Sequence, residues 1–305
     1  MQAPQRHIHR LEKIVAFGAL IALLLLSAGF AQAGGPKKKP AGDPLDQLQR
    51  EQPGKVFLRS HVALVVDAKS GETIFAKNSD AVLPIASITK LMTAMVVLDR
   101  GLELGQRIVI SEEDMDTLKG TRSRLRTGSV MTRDELLLLA LMASENRAAA
   151  ALARTYSGGF DSFVAAMNEK ARALGMSDTR FVDSTGLSSG NVSSAHDLAA
   201  MVKAAYGYPL IREYSTREGA HVLSLGRDVA YRNTNGLVHS ADWNVGLSKT
   251  GFISEAGRCL VMRAKVASRD LVVILLDSWG KNSRIGDANR IRKWLETSAA
   301  AGPRS

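Results

Sequence analysis

The pattern of apolar and polar positions divides the chain into strand-like and helix-like regions. Apolar, β-prone runs that predict strands lie towards both ends of the chain. They span residues 62–67, 72–77, 244–251, 259–266 and 271–276. The first two flank a polar segment that ends at Gly71, and the last two flank Ser268 and Arg269. Each of these pairs therefore predicts a hairpin with a short turn.

Helical signals dominate between the two groups of strands. Thr132 and Glu135 form a capping box before a leucine-rich run, and Gly175 ends a stretch with the helical period. The predicted helices lie within residues 87–99, 136–142, 160–174, 198–205 and 287–296. This order predicts an α+β fold, an antiparallel β-sheet flanked by helices with an inserted all-helical subdomain. The subdomain is expected at about residues 83–215.

The amino end has the features of an export signal. Three basic residues precede an uninterrupted run of small and apolar residues at 14–30, and Ala31-Gln32-Ala33 has the small residues after which signal peptidase cuts. We therefore predict a signal peptide at residues 1–33, cleaved after Ala33, and a periplasmic location. An uncleaved membrane anchor is the alternative, because a run of 17 residues is near the lower limit for a spanning helix.

The segment after the signal has a different composition. Residues 34–55 contain glycine, proline and three consecutive lysines without an apolar period, which predicts a flexible leader. The folded domain is expected at residues 56–298, followed by a tail at 299–305. Only 54 residues follow Gly251, enough for two strands and the last helix, so we expect no stable membrane anchor there.

Charge and composition limit the classes of partner. The 305-residue chain has 40 Lys and Arg against 30 Asp and Glu, a net charge of +10, and loss of residues 1–33 leaves +8. This charge favours an anionic partner. Aromatic residues make up only 5%, too few for the stacking platforms of single-stranded nucleic acid binding, so no nucleic acid partner is expected. One cysteine, Cys259, and scattered histidines predict no metal or other cofactor.

Ser87 and Lys90 form the first candidate catalytic pair. They lie three residues apart at the start of a predicted helix, where they share a face. A neutral lysine in this position can accept the proton of a serine nucleophile. The spacing alone is weak evidence, because it recurs at Ser278 and Lys281 in a predicted loop and because serine often only caps a helix.

Two further motifs strengthen this interpretation. Ser144-Glu145-Asn146 lies in a short polar break between two apolar helices, whereas a second match to its pattern, at residues 189–191, lies in a loop that turn chemistry explains. Lys249-Thr250-Gly251 occurs once, at the end of a strand, where a buried lysine needs a partner and glycine permits close backbone approach. The three motifs, in this order, are those of class A β-lactamases and penicillin-binding proteins.

A closer resemblance rests on longer segments. Residues 84–94, 144–149 and 249–252, with Thr185-Gly186-Leu187-Ser188 between them, resemble the low-molecular-weight penicillin-binding proteins. The resemblance covers roughly residues 61–296 and implies a serine D-alanyl-D-alanine peptidase with a β-lactamase-like fold. It further implies an endopeptidase that cuts the D-alanyl to meso-diaminopimelyl cross-links of peptidoglycan, with β-lactam antibiotics as covalent inhibitors.

The resemblance implies a role for each catalytic residue. Ser87 is expected to be the nucleophile and Lys90 its base. Ser144 would relay a proton to the leaving amine, and Asn146 would hold the substrate amide and the Lys90 amine in place. Burial and the nearby positive charge of Lys249 are expected to lower the pKa of Lys90, which must be neutral to act.

The strand that carries the third motif is expected to bind substrate. Lys249 would meet negative charge on the peptide, and the strand through Thr250 and Gly251 would pair with it edge to edge. The backbone N–H groups of Ser87 and Phe252 would form the oxyanion hole. Arg284 is a further candidate for a carboxylate-binding arginine, although a solvated face of the last helix explains it equally well.

Two alternatives remain open, and the sequence disfavours a third. A carboxypeptidase would use the same residues to remove only a terminal D-alanine. A non-catalytic wall-binding or β-lactam-sensing module would keep the pocket without turnover. A class A β-lactamase would need a Glu-x-x-Leu-Asn loop between the second and third motifs, which the sequence lacks, so penicillin is expected to form a long-lived adduct.

Overall fold

The computed structural model describes residues 44–52 and 54–300. The predicted signal peptide, its cleavage site and the first part of the predicted leader lie outside these residues, as do the last five residues of the predicted tail. The described helices are α1 (Pro44–Glu51), α2 (Thr89–Asp99), α3 (Arg133–Met142), α4 (Asn146–Arg154), α5 (Gly159–Ala173), α6 (Ala195–Ala205), α7 (Pro209–Thr216) and α8 (Ser283–Ala300).

Eleven strands are distributed over one large sheet and three small ones in the described part of the chain. They are β1 (Ser60–Asp67), β2 (Thr73–Lys77), β3 (Leu83–Pro84), β4 (Arg107–Val109), β5 (Val130–Thr132), β6 (Val192–Ser193), β7 (Gly219–Ser224), β8 (Arg227–Arg232), β9 (Asn244–Ile253), β10 (Gly257–Val266) and β11 (Arg269–Ser278). Strands β3 and β6, β4 and β5, and β7 and β8 form the three small antiparallel pairs.

The five predicted strands form the central antiparallel sheet, in the order β2-β1-β11-β10-β9. Val65 pairs with Val273, and Lys249 pairs with Val261, so the third motif lies on β9 at one edge of the sheet. The turn between β10 and β11 is one residue earlier than predicted, because Ala267 and Ser268 are the two residues with positive φ.

Side chains alternate between the two faces of this sheet and bury two separate apolar cores. One face, which includes Leu64, packs on the helical region, and the opposite face, which includes Val65, packs under Ile291 of α8. Helix α2 lies in the middle of the helical region and is buried on all sides from Thr89 to Val97. A lysine on this helix is therefore held in the protein interior.

The structure differs from the sequence prediction in three places. Helix α1 forms within the predicted flexible leader, where Asp46 pairs with Arg290 of α8 at 3.0 Å. Its residues are mostly polar, so the apolar pattern of the sequence does not predict it. Tertiary contacts hold this helix in place. The region predicted to be all-helical also contains short strand pairs, and the β7–β8 hairpin follows it without a predicted counterpart. No described helix has both the length and the apolar character required to cross a membrane.

Candidate active site

Ser87 lies in a 3-10 turn, Ala86–Ile88, that leads directly into α2. Its hydroxyl does not cap the helix, since Ile88 occupies the cap position and no side chain caps it. Ala86 has a positive φ of 47°, and its carbonyl accepts a hydrogen bond from the Thr89 hydroxyl at 2.8 Å. The helix-capping explanation for Ser87 therefore does not apply.

Lys90 is fully buried and its amine contacts three oxygens. Its Nζ lies 2.8 Å from Ser87 Oγ, 2.7 Å from Asn146 Oδ1 and 2.6 Å from the Thr185 carbonyl oxygen. The last two atoms can only accept hydrogen bonds. In the neutral amine they take its two N–H groups, which leaves the nitrogen lone pair facing the Ser87 hydroxyl.

Burial lowers the pKa of Lys90 to about 7, although three nearby carboxylates act in the opposite direction. The carboxylates are those of Asp183, Glu145 and Asp116. Desolvation is the larger effect, because the charged ammonium is far costlier to bury than the neutral amine. A substantial fraction of Lys90 is consequently neutral at physiological pH, as a base requires.

Ser144 and Lys249 form a second pair that faces the same cleft. Ser144 adopts a positive φ of 58° in the break between α3 and α4, and its Oγ accepts a hydrogen bond from Lys249 Nζ at 2.8 Å. Lys249 also donates to the Thr250 carbonyl at 3.0 Å. Burial and the charge of Lys90 both lower the pKa of Lys249. Among the described residues, Ser144 Oγ has no hydrogen bond to Ser87 or Lys90.

Glu145, the middle residue of the second motif, is buried and forms local hydrogen bonds. Its carboxylate caps α4 by accepting from the Arg147 backbone N–H at 3.3 Å, and it accepts from Ser123 Oγ at 2.7 Å. Both hydrogen bonds are accepted by Oε1 of this carboxylate.

Strand β9 brings Thr250, Gly251 and Phe252 beside Ser87. A Cβ on Gly251 would lie 2.9 Å from the Ile85 carbonyl oxygen and 3.2 Å from the Ser87 backbone nitrogen. Only glycine permits this close approach of two backbones. Thr250 Oγ1 bonds with Thr234 Oγ1 at 2.6 Å, and Phe252 exposes 55% of its surface.

Arg284 does not lie on a solvated helix face. It is partly buried at the start of α8, and its Nη1 donates to the Gly251 carbonyl oxygen at 3.2 Å. Its Nε is buried without a hydrogen-bond partner in the described part of the chain. Burial and the positive charge of Arg258 lower the pKa of Arg284. The guanidinium thus supports β9 and retains an unused donor.

A loop around Asp183 completes the lysine site and was not identified from the sequence. The Asp183 carboxylate accepts from the backbone N–H groups of Thr185, Gly186 and Ser188 at 2.5, 2.6 and 2.9 Å. This arrangement directs the Thr185 carbonyl towards Lys90. Buried Asn191, predicted to be an ordinary turn residue, holds the loop by donating to Thr89 Oγ1 at 2.9 Å. In the sequence, only the resemblance of residues 185–188 to the penicillin-binding proteins points to this loop.

A second loop closes the opposite wall of the cleft. Asp116 accepts hydrogen bonds from the backbone N–H groups of Lys119 and Thr121 at 2.9 and 2.8 Å. Thr121 Oγ1 accepts from Asn146 Nδ2 at 3.0 Å. Lys119 forms an ion pair with Glu255 in the β9–β10 turn, which joins this loop to the end of β9.

A substitution at Gly186 tests the close contact between its backbone and the backbone that precedes Ser87. It has a φ of +79°, and a Cβ there would lie only 1.9 Å from the Ala86 carbonyl oxygen. Gly186→Ala is expected to lower the free energy of unfolding by well over the roughly 1–2 kcal/mol of a left-handed alanine, because backbone must also move. Because that carbonyl adjoins Ser87, the change is also expected to slow penicillin acylation.

The matched control for this substitution is Gly175→Ala. Gly175 has a similar φ of +73° but open space around the added Cβ. Chemical denaturation and acylation rates measured on both variants separate backbone strain from steric displacement of Ser87. Equal losses of stability in the two variants would contradict the close contact at Gly186.

The cleft as a whole is built for acyl transfer. Ser87 contacts Lys90, a buried lysine of lowered pKa, and Ser144 contacts Lys249. The edge strand β9 lies beside Ser87. Within the described residues there is no group of three His, Cys, Asp or Glu side chains placed to hold a metal ion. All eight predicted site residues lie on the segments that form this cleft.

Comparison with known proteins identifies relatives across most of the chain. The family model described as D-alanyl-D-alanine carboxypeptidase matches residues 47–279. A D-alanyl-D-alanine endopeptidase of Pseudomonas aeruginosa is 46% identical over 282 residues, which cover 92% of this chain and 88% of that protein. One of Escherichia coli is 46% identical over 242 residues, covering 79% and 78%.

Solved structures show the same fold. The Streptomyces K15 DD-transpeptidase aligns with a TM-score of 0.73 at 27% sequence identity, over 79% of this chain and 98% of that one. The predicted α+β fold and the predicted resemblance to D-alanyl-D-alanine peptidases are thereby confirmed. Because the family model matches most of the chain and two relatives share 46% of their aligned residues with it, the chain belongs to the D-alanyl-D-alanine carboxypeptidase family of serine peptidases.

Proposed function

We propose that the protein is a serine-type D-alanyl-D-alanine endopeptidase that hydrolyses D-alanyl to meso-diaminopimelyl cross-links in peptidoglycan. The observation that carries the proposal is the contact of 2.8 Å between Lys90 Nζ and Ser87 Oγ in a setting that favours the neutral amine. The endopeptidase activity named for the two relatives at 46% identity supports the choice of substrate.

Acylation starts at Ser87. The lone pair of Lys90 takes the hydroxyl proton as Ser87 Oγ attacks the carbonyl carbon of the D-alanine in the cross-link. Asn146 and the Thr185 carbonyl hold the Lys90 amine during this transfer. Dividing amide hydrolysis into acylation and deacylation replaces one high barrier with two lower ones.

The oxyanion of the tetrahedral intermediate is stabilised by backbone donors. The N–H groups of Ser87 and Phe252 are suited to this role, since Gly251 brings β9 against the backbone of Ser87. Each such donor contributes about 3 kcal/mol to transition-state stabilisation. The free edge of β9 aligns the peptide as an added strand, with Thr250 and Gly251 at the scissile bond.

Collapse of the intermediate releases the cross-linking amine. Ser144, held by Lys249, relays to this amine the proton that Lys90 took from Ser87 as the C–N bond breaks. Water then hydrolyses the ester and restores the Ser87 hydroxyl. Lys249 also meets negative charge on the substrate. β-Lactam antibiotics acylate the same serine as covalent inhibitors, but release no separate peptide because their amide is part of a ring.

The site favours a peptidase over a β-lactamase. Rapid hydrolysis of a penicillin adduct in class A β-lactamases uses the Glu-x-x-Leu-Asn loop, which this sequence lacks, and Oε1 of Glu145 already accepts hydrogen bonds from Ser123 and the Arg147 backbone. The complete set of reacting groups also argues against a binding or sensing module. We place the enzyme in the periplasm, exported by the signal peptide at residues 1–33, where its cross-linked substrate is found.

Mass spectrometry of purified muropeptides tests the reaction. We expect wild-type enzyme to convert a D-alanyl to diaminopimelyl cross-linked dimer into monomers, because its leaving group is a peptide amine. The Ser87→Ala protein is the control and should leave the dimer intact. Loss of only a terminal alanine would instead identify a carboxypeptidase, and penicillin acylation without any peptide cleavage would identify a sensing module.

A further inference from the structure

A basic groove runs along helix α8 and adjoins the strand that carries the third motif. This α8 groove has a volume of about 1370 Å³ and is lined by residues of α1, the segment 234–242, Trp279 and α8. It begins at Thr234 and Arg284, the side chains that bond with Thr250 and with the Gly251 carbonyl. Two of its lining residues therefore contact β9 directly.

The charge of the α8 groove is strongly asymmetric. Seven basic and three acidic residues line it. Arg50, Lys281 and Lys293 are exposed and form no ion pair with any other described residue. Basic side chains without partners, collected in one concave surface, favour the binding of an anionic ligand.

An exposed aromatic side chain lies among these cations. Trp279 exposes 80% of its surface, whereas Trp243 is buried and Trp294 is partly buried against the second core. Tryptophan contributes a large apolar area when a ligand covers it, and its position beside basic residues suits a ligand with both apolar and acidic groups. A peptide with carboxylates has this character.

The chemistry of cross-link cleavage requires such a site on one side of the scissile bond. A carboxypeptidase releases a single alanine and needs no further room beyond it. An endopeptidase releases an amine that continues as a second peptide, and that peptide must leave the cleft beyond Thr250 and Gly251. Thr234 and Arg284, which line the α8 groove, contact these two residues.

We propose that the α8 groove binds the leaving peptide of the cross-link, an anionic stem peptide that ends in a free diaminopimelyl amine after cleavage. Trp279 packs against the peptide, and Lys281 and Lys293 pair with its carboxylates. This inference rests on the proposed endopeptidase function. It assigns to the α8 groove the ability to distinguish cross-linked peptides from uncross-linked ones as substrates.

The test measures binding of the leaving peptide without turnover. Isothermal titration calorimetry is performed on Ser87→Ala protein with a purified muropeptide monomer that carries the free diaminopimelyl amine. Reversing two exposed charges, Lys281→Glu together with Lys293→Glu, is expected to weaken binding about tenfold, since each exposed pair contributes modestly. Trp279→Ala is expected to weaken it several-fold by removing contact area.

A matched control reverses two lysines at the opposite end of the sheet. Lys69 and Lys265 are also exposed and lie outside the lining of the α8 groove. The Lys69→Glu, Lys265→Glu protein has the same net charge as the groove variant and is expected to bind the monomer like the parent. Equal weakening in both double variants would show a nonspecific charge effect and overturn the proposal, as would unchanged binding in the groove variants.

The groove variants are next examined with Ser87 restored. Penicillin acylation, in which no peptide leaves, reports whether the catalytic groups remain in place. We expect cleavage of the cross-linked dimer to fall about as much as binding does. If wild-type enzyme is acylated but cleaves no cross-link, the proposed function fails, whereas the binding measurement on the monomer still decides the role of the groove.

Discussion

Replacing Ser87 with alanine is expected to abolish covalent labelling by a fluorescent penicillin and to leave the thermal unfolding midpoint nearly unchanged. The hydroxyl supplies the only atom that the proposed mechanism acylates. Among residues 44–52 and 54–300 it makes one hydrogen bond, with Lys90, and the net loss of one such bond costs about 1 kcal/mol. Labelling is measured by gel fluorescence and unfolding by circular dichroism.

Ser278 provides a matched control for this experiment. It stands three residues before Lys281, the same spacing as in the candidate catalytic pair, but its hydroxyl donates to Ser283 Oγ at 2.7 Å. Ser278→Ala should therefore label like the wild type. A Ser87→Ala protein that still forms the adduct would refute the assignment of the nucleophile, and rapid loss of the wild-type adduct would indicate a β-lactamase.

Replacing Lys90 with alanine is expected to slow acylation by several orders of magnitude, because Ser87 loses the base with which it acts as a unit. The fold should persist, since the surrounding apolar core does not depend on the amine. The second-order rate of penicillin acylation provides the measurement. Lys265→Ala, which removes an exposed lysine, serves as the control and should react at the wild-type rate.

The same lysine determines the expected pH dependence. Its pKa of about 7 means that below pH 7 the amine is mainly protonated and cannot accept the serine proton. The acylation rate of wild-type enzyme should therefore rise as the pH increases through 7 and then level off. Well below pH 7, the rate should fall about tenfold for each pH unit. The residual rate of Lys90→Ala should lack this step. A wild-type rate that falls between pH 6 and 8 would contradict Lys90 as the base.

The five central strands could be predicted from the sequence because their signals are local. A buried strand requires consecutive apolar, β-branched residues, and each predicted strand lies within one of the observed strands apart from Glu72. Helix α1 could not be predicted in this way, since its stability comes from contacts such as that between Asp46 and Arg290. The β7–β8 hairpin was also missed, because few of its residues are buried and its apolar alternation is weak.

The residue types of the candidate site are determined by the sequence itself. Serine beside lysine, the polar break at 144–146 and the single Lys249-Thr250-Gly251 are visible without a structure, since the chemistry of each depends on its functional groups. What the tertiary structure decided is which groups meet. Lys90 reaches Asn146 across 56 positions and the Thr185 carbonyl across 95, contacts that no local pattern encodes. Burial of α2 then lowers the pKa of Lys90, because desolvation depends on every element packed around it.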